Sequence, residues 1–410
     1  MNTLLRSQAD RIVKEAIAAV QPDAAVQRAL SKMIFPGRVL LVAAGKAAWQ
    51  MAKAASDTLG SRIEKGVVVT KYGHVTGPIA NFDCFEAGHP VPDENSFKGT
   101  QAALDLVSDL SDQDTVLFLL SGGGSALFEK PKIDGKELED ITKQLMACGA
   151  DIVEINTIRK RLSWVKGGQF AKRCAPAHVV SIILSDILGD PLDMIASGPT
   201  VPDSTTCEQA LAIAEKYQLQ LSDAARSCLH QETPKELAGI ETHVNGSVKE
   251  LCRAAAEACR VLEYEPMILT DQLCCQAKEA GSFLGSIAKS HCADGKRLAF
   301  IAGGETVVKL TGHGLGGRNQ EIALAAAKEI SGLKNACVFS VGSDGTDGPT
   351  DAAGGYADGD TEAELRQTGK NIDMVLLDND AYHALQATNG LVFTGPTGTN
   401  VNDFSIALIG

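Results

Sequence analysis

The sequence predicts an α/β protein of two domains on mostly parallel sheets, and three observations predict it. Short, wholly apolar runs recur along the chain, the pattern of strands buried on both faces. Helical stretches separate them, and alternation of strand and helix favours a parallel sheet covered on both sides. With 410 residues, 44% of them hydrophobic, the chain exceeds what one core keeps compact and has apolar material for two.

Taken in order, residues 2–20 place Leu5, Ile12, Val13, Ala16, Ile17 and Val20 at helical spacing, with Asp10 and Glu15 among them, unlike a signal or transit peptide. Residues 38–44 (RVLLVAA) are the first buried-strand candidate, leading into Gly45 and an Ala-rich helix. Further candidates are 66–70 (GVVVT), 115–120 (TVLFLL) and 179–184 (VVSIIL). A second series is expected to begin at 241–244 (ETHV), before a helix at 248–261. It continues through 266–270 (PMILT), 297–302 (RLAFIA) and 336–342 (ACVFSVG). The polar stretch QETPKELAG between the two series sets the expected domains at 1–236 and 237–410.

A formal net charge of -13 disfavours nucleic acid and anionic membranes, which attract basic surfaces. No apolar run is long enough to span a bilayer. Eleven cysteines, an odd number without paired metal-ligand spacing, read as buried thiols of a reducing compartment, so the cytoplasm is the expected location.

Ligands of open α/β sheets sit beyond the carboxyl ends of the strands, which directs attention to the residues just after each apolar run. After 115–120 come Ser121, Gly122, Gly123, Gly124 and Ser125, either a tight turn or a loop whose N–H groups approach anionic oxygens. After 179–184 come Asp186 and Asp190, either oxygen ligands for magnesium or caps of a turn. Arg318 opens a helix after a glycine-rich stretch, where its fork and the helix dipole suit a polyanion; the alternative is a surface pair with Glu321. Asp344 lies in an acid-rich segment after 336–342 that lacks the bidentate Glu of a calcium loop. Residues 394–403 add small hydroxyls and amides, Thr399 and Asn400 among them. Lys46 stands at the carboxyl end of the first strand, either an ammonium that neutralises phosphate charge or a solvent-exposed lysine, and this is no Walker loop, because Leu40 stands where a glycine is required and Ala47 where Ser or Thr is. Protein-kinase signatures are also missing.

The ordered series GKAA (from 45), HPVPDENS (89), SGGGSAL (121), INTIRKRLSWVKGGQFA (155), SDILGD (185), ASGPTVPDST (196), GGET (303), GHGLGGRNQE (312), SDGTDGPTDAAGG (343) and TGPTGTNVND (394) resembles the glycerate 2-kinase family, whose C-terminal portion is the MOFRL domain, here about 297–405. The likeness spans nearly the whole chain, and Val307 after GGET is a small departure from it. It implies transfer of the ATP γ-phosphoryl group to the 2-hydroxyl of D-glycerate, in a cleft between a Rossmann-like N-terminal domain and a smaller α/β C-terminal domain. Lys46 and Arg318 match the family's proposed catalytic basic positions. Asn156 and Arg159 are then candidate carboxylate or phosphate contacts, with Asp186, Asp190 or Asp344 as metal ligand or base for Mg²⁺ with ATP. A monomer or homodimer acting on small molecules is expected.

Two rivals are weighed. An NAD(P)H-dependent hydroxypyruvate reductase needs a dinucleotide fingerprint, and the first strand ends instead in Ala43, Ala44, Gly45, Lys46, Ala47 and Ala48. A non-catalytic sensor has no use for Lys46, Arg318 and several strand-end acids together.

Overall fold

The computed structural model describes residues 1–410 and contains two six-stranded sheets. The first takes β1 (Val39–Ala44), β2 (Ile63–Lys71), β3 (Phe82–Ala87), β4 (Thr115–Leu120), β5 (His178–Leu184) and β6 (Ile240–Gly246), in the order β3-β2-β1-β4-β5-β6. Its first five strands pair in parallel. Alternate residues of the central strands enter different cores, as a sheet covered on both faces requires: Leu41, Ala43, Leu117 and Leu119 on one side, Val42, Ala44, Phe118 and Leu120 on the other. The strand order reverses between β1 and β4, so the loops leaving these two strands flank a topological switch point.

The second sheet takes β7 (Glu265–Leu273), β8 (Leu298–Gly304), β9 (Ala336–Gly342), β10 (Gly354–Asp358), β11 (Leu391–Val392) and β12 (Asp403–Ile409), in the order β11-β10-β9-β12-β8-β7. It is mixed: β7 and β8 are parallel, whereas β12 lies antiparallel between β8 and β9. Ile301, Phe339 and Ile406 face one core, and Phe300, Val338 and Ala407 the other.

The chain divides into two compact units, Ala25–Ser185 with Asp190–Asn245, and Met1–Ala24 with Asp186–Gly189 and Gly246–Gly410. This differs from a cut at 236/237. The segment expected to open the second series is β6, which extends the first sheet beside β5. The helix Thr3–Ala19, capped by the Asn2 side chain, buries Leu5, Ile12, Val13 and Ile17 in the second unit's core with Leu251, Phe339 and Ile406. Cys174, Cys207, Cys228, Cys252, Cys259 and Cys337 are buried, whereas Cys148, Cys274 and Cys275 are exposed, and none of the eleven is in a disulfide. No helix is long and apolar enough to cross a membrane.

Candidate active site

At the switch point of the first unit, the turns after β1 and β4 are in contact. Gly45 has φ 124°, and a Cβ on it would lie 2.2 Å from Ser121 Oγ, so both conformation and space demand glycine. Ser121 Oγ accepts the Ala47 N–H at 3.0 Å, and the Gly122 carbonyl accepts that of Lys46 at 2.9 Å. The Lys46 carbonyl accepts the Thr70 hydroxyl at 3.1 Å. Its backbone is therefore fixed from two sides, while its ammonium makes no hydrogen bond or ion pair within the chain. The side chain runs along the glycine loop: a Cβ on Gly123 would meet Lys46 Cγ at 3.2 Å and the His89 ring at 2.9 Å.

The loop itself presents donors. The N–H groups of Gly122, Gly123, Gly124 and Ser125 have no acceptor in the protein, whereas those of Ser121, Ala126 and Leu127 are bonded to Ala44 and Gly123 carbonyls. Four successive unclaimed donors beside a free ammonium suit an anionic oxygen cluster such as phosphate or carboxylate. Behind the loop, Phe118, Phe128 and Phe170 pack with ring centroids 5.1–5.4 Å apart and anchor the next turn in the core.

Two predicted contacts of this unit are engaged inside the fold. Asn156 is buried, its Oδ1 accepting the Ser197 hydroxyl at 2.8 Å. Arg159 donates to the Ser125 carbonyl at 2.8 Å and to Glu129 at 3.3 Å. Its neighbours Lys160 and Arg161 are more deeply buried, both paired with Asp203. Asp190 stands in this unit at φ 49°, half-buried.

In the second unit, Arg318 starts the helix Arg318–Glu329. Its Nε and Nη2 donate to the two oxygens of Asp403, the latter at 3.0 Å, and Glu305 lies 3.6 Å from Nη2. The expected alternative partner, Glu321, instead accepts from Asn379. Burial works against the Arg318 charge, but Asp403 outweighs it and raises the guanidinium's pKa above its ordinary value. Asp403 reaches this place because β12 is antiparallel: its first residue is in register with Gly304 and Gly342, the last residues of β8 and β9.

Asp347 fixes the same helix start. It accepts the N–H groups of Asn319 at 3.1 Å and Gln320 at 2.8 Å, and a Cβ on Gly317 would lie 2.3 Å from its carboxylate. Burial nevertheless pushes its pKa up to about 6. Asp344 is half-buried and accepts the Thr346 N–H at 3.0 Å. The Asp186 carbonyl accepts from Asn402 at 3.1 Å, leaving the carboxylate outside that bond. The Thr399 hydroxyl is spent on the Val20 carbonyl at 3.0 Å, whereas Asn400 is exposed. No three His, Cys, Asp or Glu side chains gather into a metal cluster. Magnesium needs no such cluster, since it keeps water and substrate phosphates and takes only one or two carboxylates, so single acids such as Asp344 fit a phosphate-held ion.

Residues 8–230 match a domain of unknown function (DUF4147), and residues 298–403 match the MOFRL family. The D-glycerate 2-kinase of Thermotoga maritima is 52% identical over 99% of this chain and 98% of its own length. The glycerate 2-kinase of Pyrococcus horikoshii is 42% identical over 97% and 96%. The crystal structure of Thermotoga maritima glycerate kinase superposes with a TM-score of 0.95 at 51% identity, covering 99% of both chains. With two domain matches in order and full-length identity of this degree, the chain belongs to the glycerate 2-kinase family.

Proposed function

We propose that the chain transfers the γ-phosphoryl group of ATP to the 2-hydroxyl of D-glycerate, giving 2-phosphoglycerate and ADP. The observation that carries this reading is the row of unclaimed N–H donors at Gly122, Gly123, Gly124 and Ser125 beside the unpaired ammonium of Lys46. Phosphoryl transfer asks little covalent chemistry of a protein, so positioning and charge neutralisation dominate its catalysis.

Lys46 is assigned to the charge that develops on the transferring group. Arg318 is assigned the same task, with Asp403 holding the Nε and Nη2 edge so that Nη1 is left for an anion. The glycine loop binds anionic oxygen. Arg159 supports that loop through the Ser125 carbonyl, Asn156 is bonded to Ser197, and Asn400 remains an exposed candidate contact. Asp186, Asp190 or Asp344 would serve as protein ligand to Mg²⁺, which would supply charge neutralisation, or as the base for the substrate hydroxyl. The proposed setting is the cytoplasm, as a monomer or homodimer.

The test is ADP release from MgATP with D-glycerate, then treatment of the product with enolase. The expected product is consumed by enolase at once. A product that enolase ignores until phosphoglycerate mutase is added would mean phosphorylation at the 3-hydroxyl and would overturn the assignment.

A further inference from the structure

Behind the glycine loop lies a group of charges that the reaction does not touch. Lys166 is completely buried, and its ammonium donates to the carbonyls of Ser125 at 2.9 Å and Phe128 at 3.3 Å. Arg159 donates to the same Ser125 carbonyl at 2.8 Å. Both cations meet Glu129, itself completely buried, at 3.5 and 3.3 Å. Two charged donors thus converge on one peptide oxygen, and that oxygen belongs to the last residue of the loop whose N–H groups have no acceptor in the protein.

The local backbone explains why cations are used. The helix Gly124–Leu127 is a single turn, too short to satisfy its own carbonyls, and the Ser125 and Phe128 oxygens have no backbone donor. A neutral donor would satisfy them; the structure spends two cations and then a buried carboxylate to balance these. Bonds from charged donors are about twice as strong as neutral ones, so this arrangement resists displacement of the loop. Glu129 Oε1 has no partner of its own, which leaves the carboxylate committed to the two cations. Burial pushes the Lys166 ammonium down to about 8, a tendency Glu129 opposes.

We propose that Lys166, Arg159 and Glu129 form a positioning clamp that fixes the Ser125 carbonyl and thereby holds the N–H groups of residues 122–125 in the geometry the transferring phosphoryl group needs. The clamp rests on the kinase reading above only for what the loop serves; the mechanical link from Lys166 to the loop stands apart from it. Lys166, Arg159 and Glu129 are positioning residues, since none is assigned a contact with substrate.

A built-in control lies six residues away. Lys160 is as deeply buried as Lys166, but its ammonium binds Asp203 at 3.1 Å and makes no bond to the loop. The experiment compares Lys166→Met, Arg159→Lys and Lys160→Met with the wild type in two measurements: hydrogen exchange of the peptide covering 121–128 without substrate, and kcat and KM for MgATP and D-glycerate. Lys166→Met is expected to speed exchange of the bonded amides of that peptide, Ala126, Leu127 and Phe128, and to lower kcat about a hundredfold, the scale of a misplacement of roughly 1 Å, with KM changed far less. Arg159→Lys keeps one charged donor and should retain most of kcat. Lys160→Met should leave loop exchange and kcat of the folded enzyme near wild type.

Unchanged loop exchange in a folded Lys166→Met protein overturns the clamp. Faster exchange with unaltered kcat overturns its part in the reaction while the kinase reading stands. If Lys166→Met does not fold, Arg159→Ala carries the same two measurements, and unchanged exchange there overturns the clamp equally. Absence of glycerate-dependent ADP release from the wild type is a separate failure, that of the kinase reading, and the exchange result still judges the mechanical link.

Discussion

Lys46 and Arg318 carry the same charge but are held in different ways. Lys46 is fixed only at its backbone, by Gly122, Thr70 and His74, and its ammonium has no partner in the chain. Arg318 is gripped at the guanidinium by both oxygens of Asp403, with Glu305 nearby and Asp347 locking the helix start beneath it. A lysine so placed can follow an anion as its charge shifts, whereas an arginine so placed offers a fixed edge at little cost of reorganisation. A charge can thus be presented by anchoring its stem or by anchoring its head.

The largest effects are expected at the two residues themselves. Lys46→Ala and Arg318→Ala should each lower kcat roughly a hundred- to a thousandfold, with much smaller changes in KM for glycerate. Arg318→Lys should fail to restore the rate, because an ammonium cannot keep the two-point hold on Asp403 and still present a second edge. Steady-state kinetics on folded variants decides this; near-normal kcat with a raised KM would reduce either residue to a ground-state contact and erase the contrast between them.

A smaller effect is expected at Asp347, where pH reads the cost of anchoring the helix start. Its folded pKa, about 6, lies above the ordinary carboxylate value, so the folded state binds the proton more tightly than the unfolded chain does. Its stabilising contribution is therefore full below the unfolded pKa and is lost as pH rises through about 6. Wild type should gain on the order of 1 kcal/mol from this group between about pH 7.5 and about pH 5, and Asp347→Asn should lose that increment. Urea unfolding of the two proteins at both pH values measures it. Equal pH dependence in the two would mean that Asp347 does not titrate in this range.

The smallest effect concerns the acids. Asp186→Asn, Asp190→Asn and Asp344→Asn are assayed over a magnesium titration, and at least one should raise the concentration needed for half-maximal rate. Wild-type dependence in all three would leave the metal to nucleotide and water alone.

Much of the first sheet is legible in the sequence because strands buried on both faces cannot hide their composition: β1, β4 and β5 stand out as apolar runs. β3 does not, since its side chains are mostly half-exposed and its sequence, FDCFEA, is mixed. β12 is entirely buried, but it comes directly after β11 with no helix between, so it falls outside the alternation of strand and helix. Its first residue explains why Asp403 escapes a sequence reading of the site. Attention to the carboxyl ends of strands finds the loops leaving β8 and β9, and an antiparallel neighbour brings its beginning to the same place.

Lys166 is illegible for another reason. In INTIRKRLSWVKGGQFA the alternation of basic and apolar residues has the look of a solvated helix face, and only tertiary packing turns Lys160, Arg161 and Lys166 inward. The glycines of the strand-end loops are more informative. Gly45 and Gly123 both have positive φ and both sit where a side chain would strike the opposing turn.

The position of β12 also bears on how the protein is made. During synthesis β8 and β9 emerge well before residues 403–409, yet β12 is the strand that lies between them and bonds to both. Until it arrives, each presents an open edge that another chain could pair with. The first unit has no such gap at its centre, because β1 and β4 are directly bonded to each other and β5 comes next in order. A ribosome therefore delivers one sheet nearly in assembly order and the other with its middle strand last, which makes the second unit the part that depends on protection while the chain is still growing.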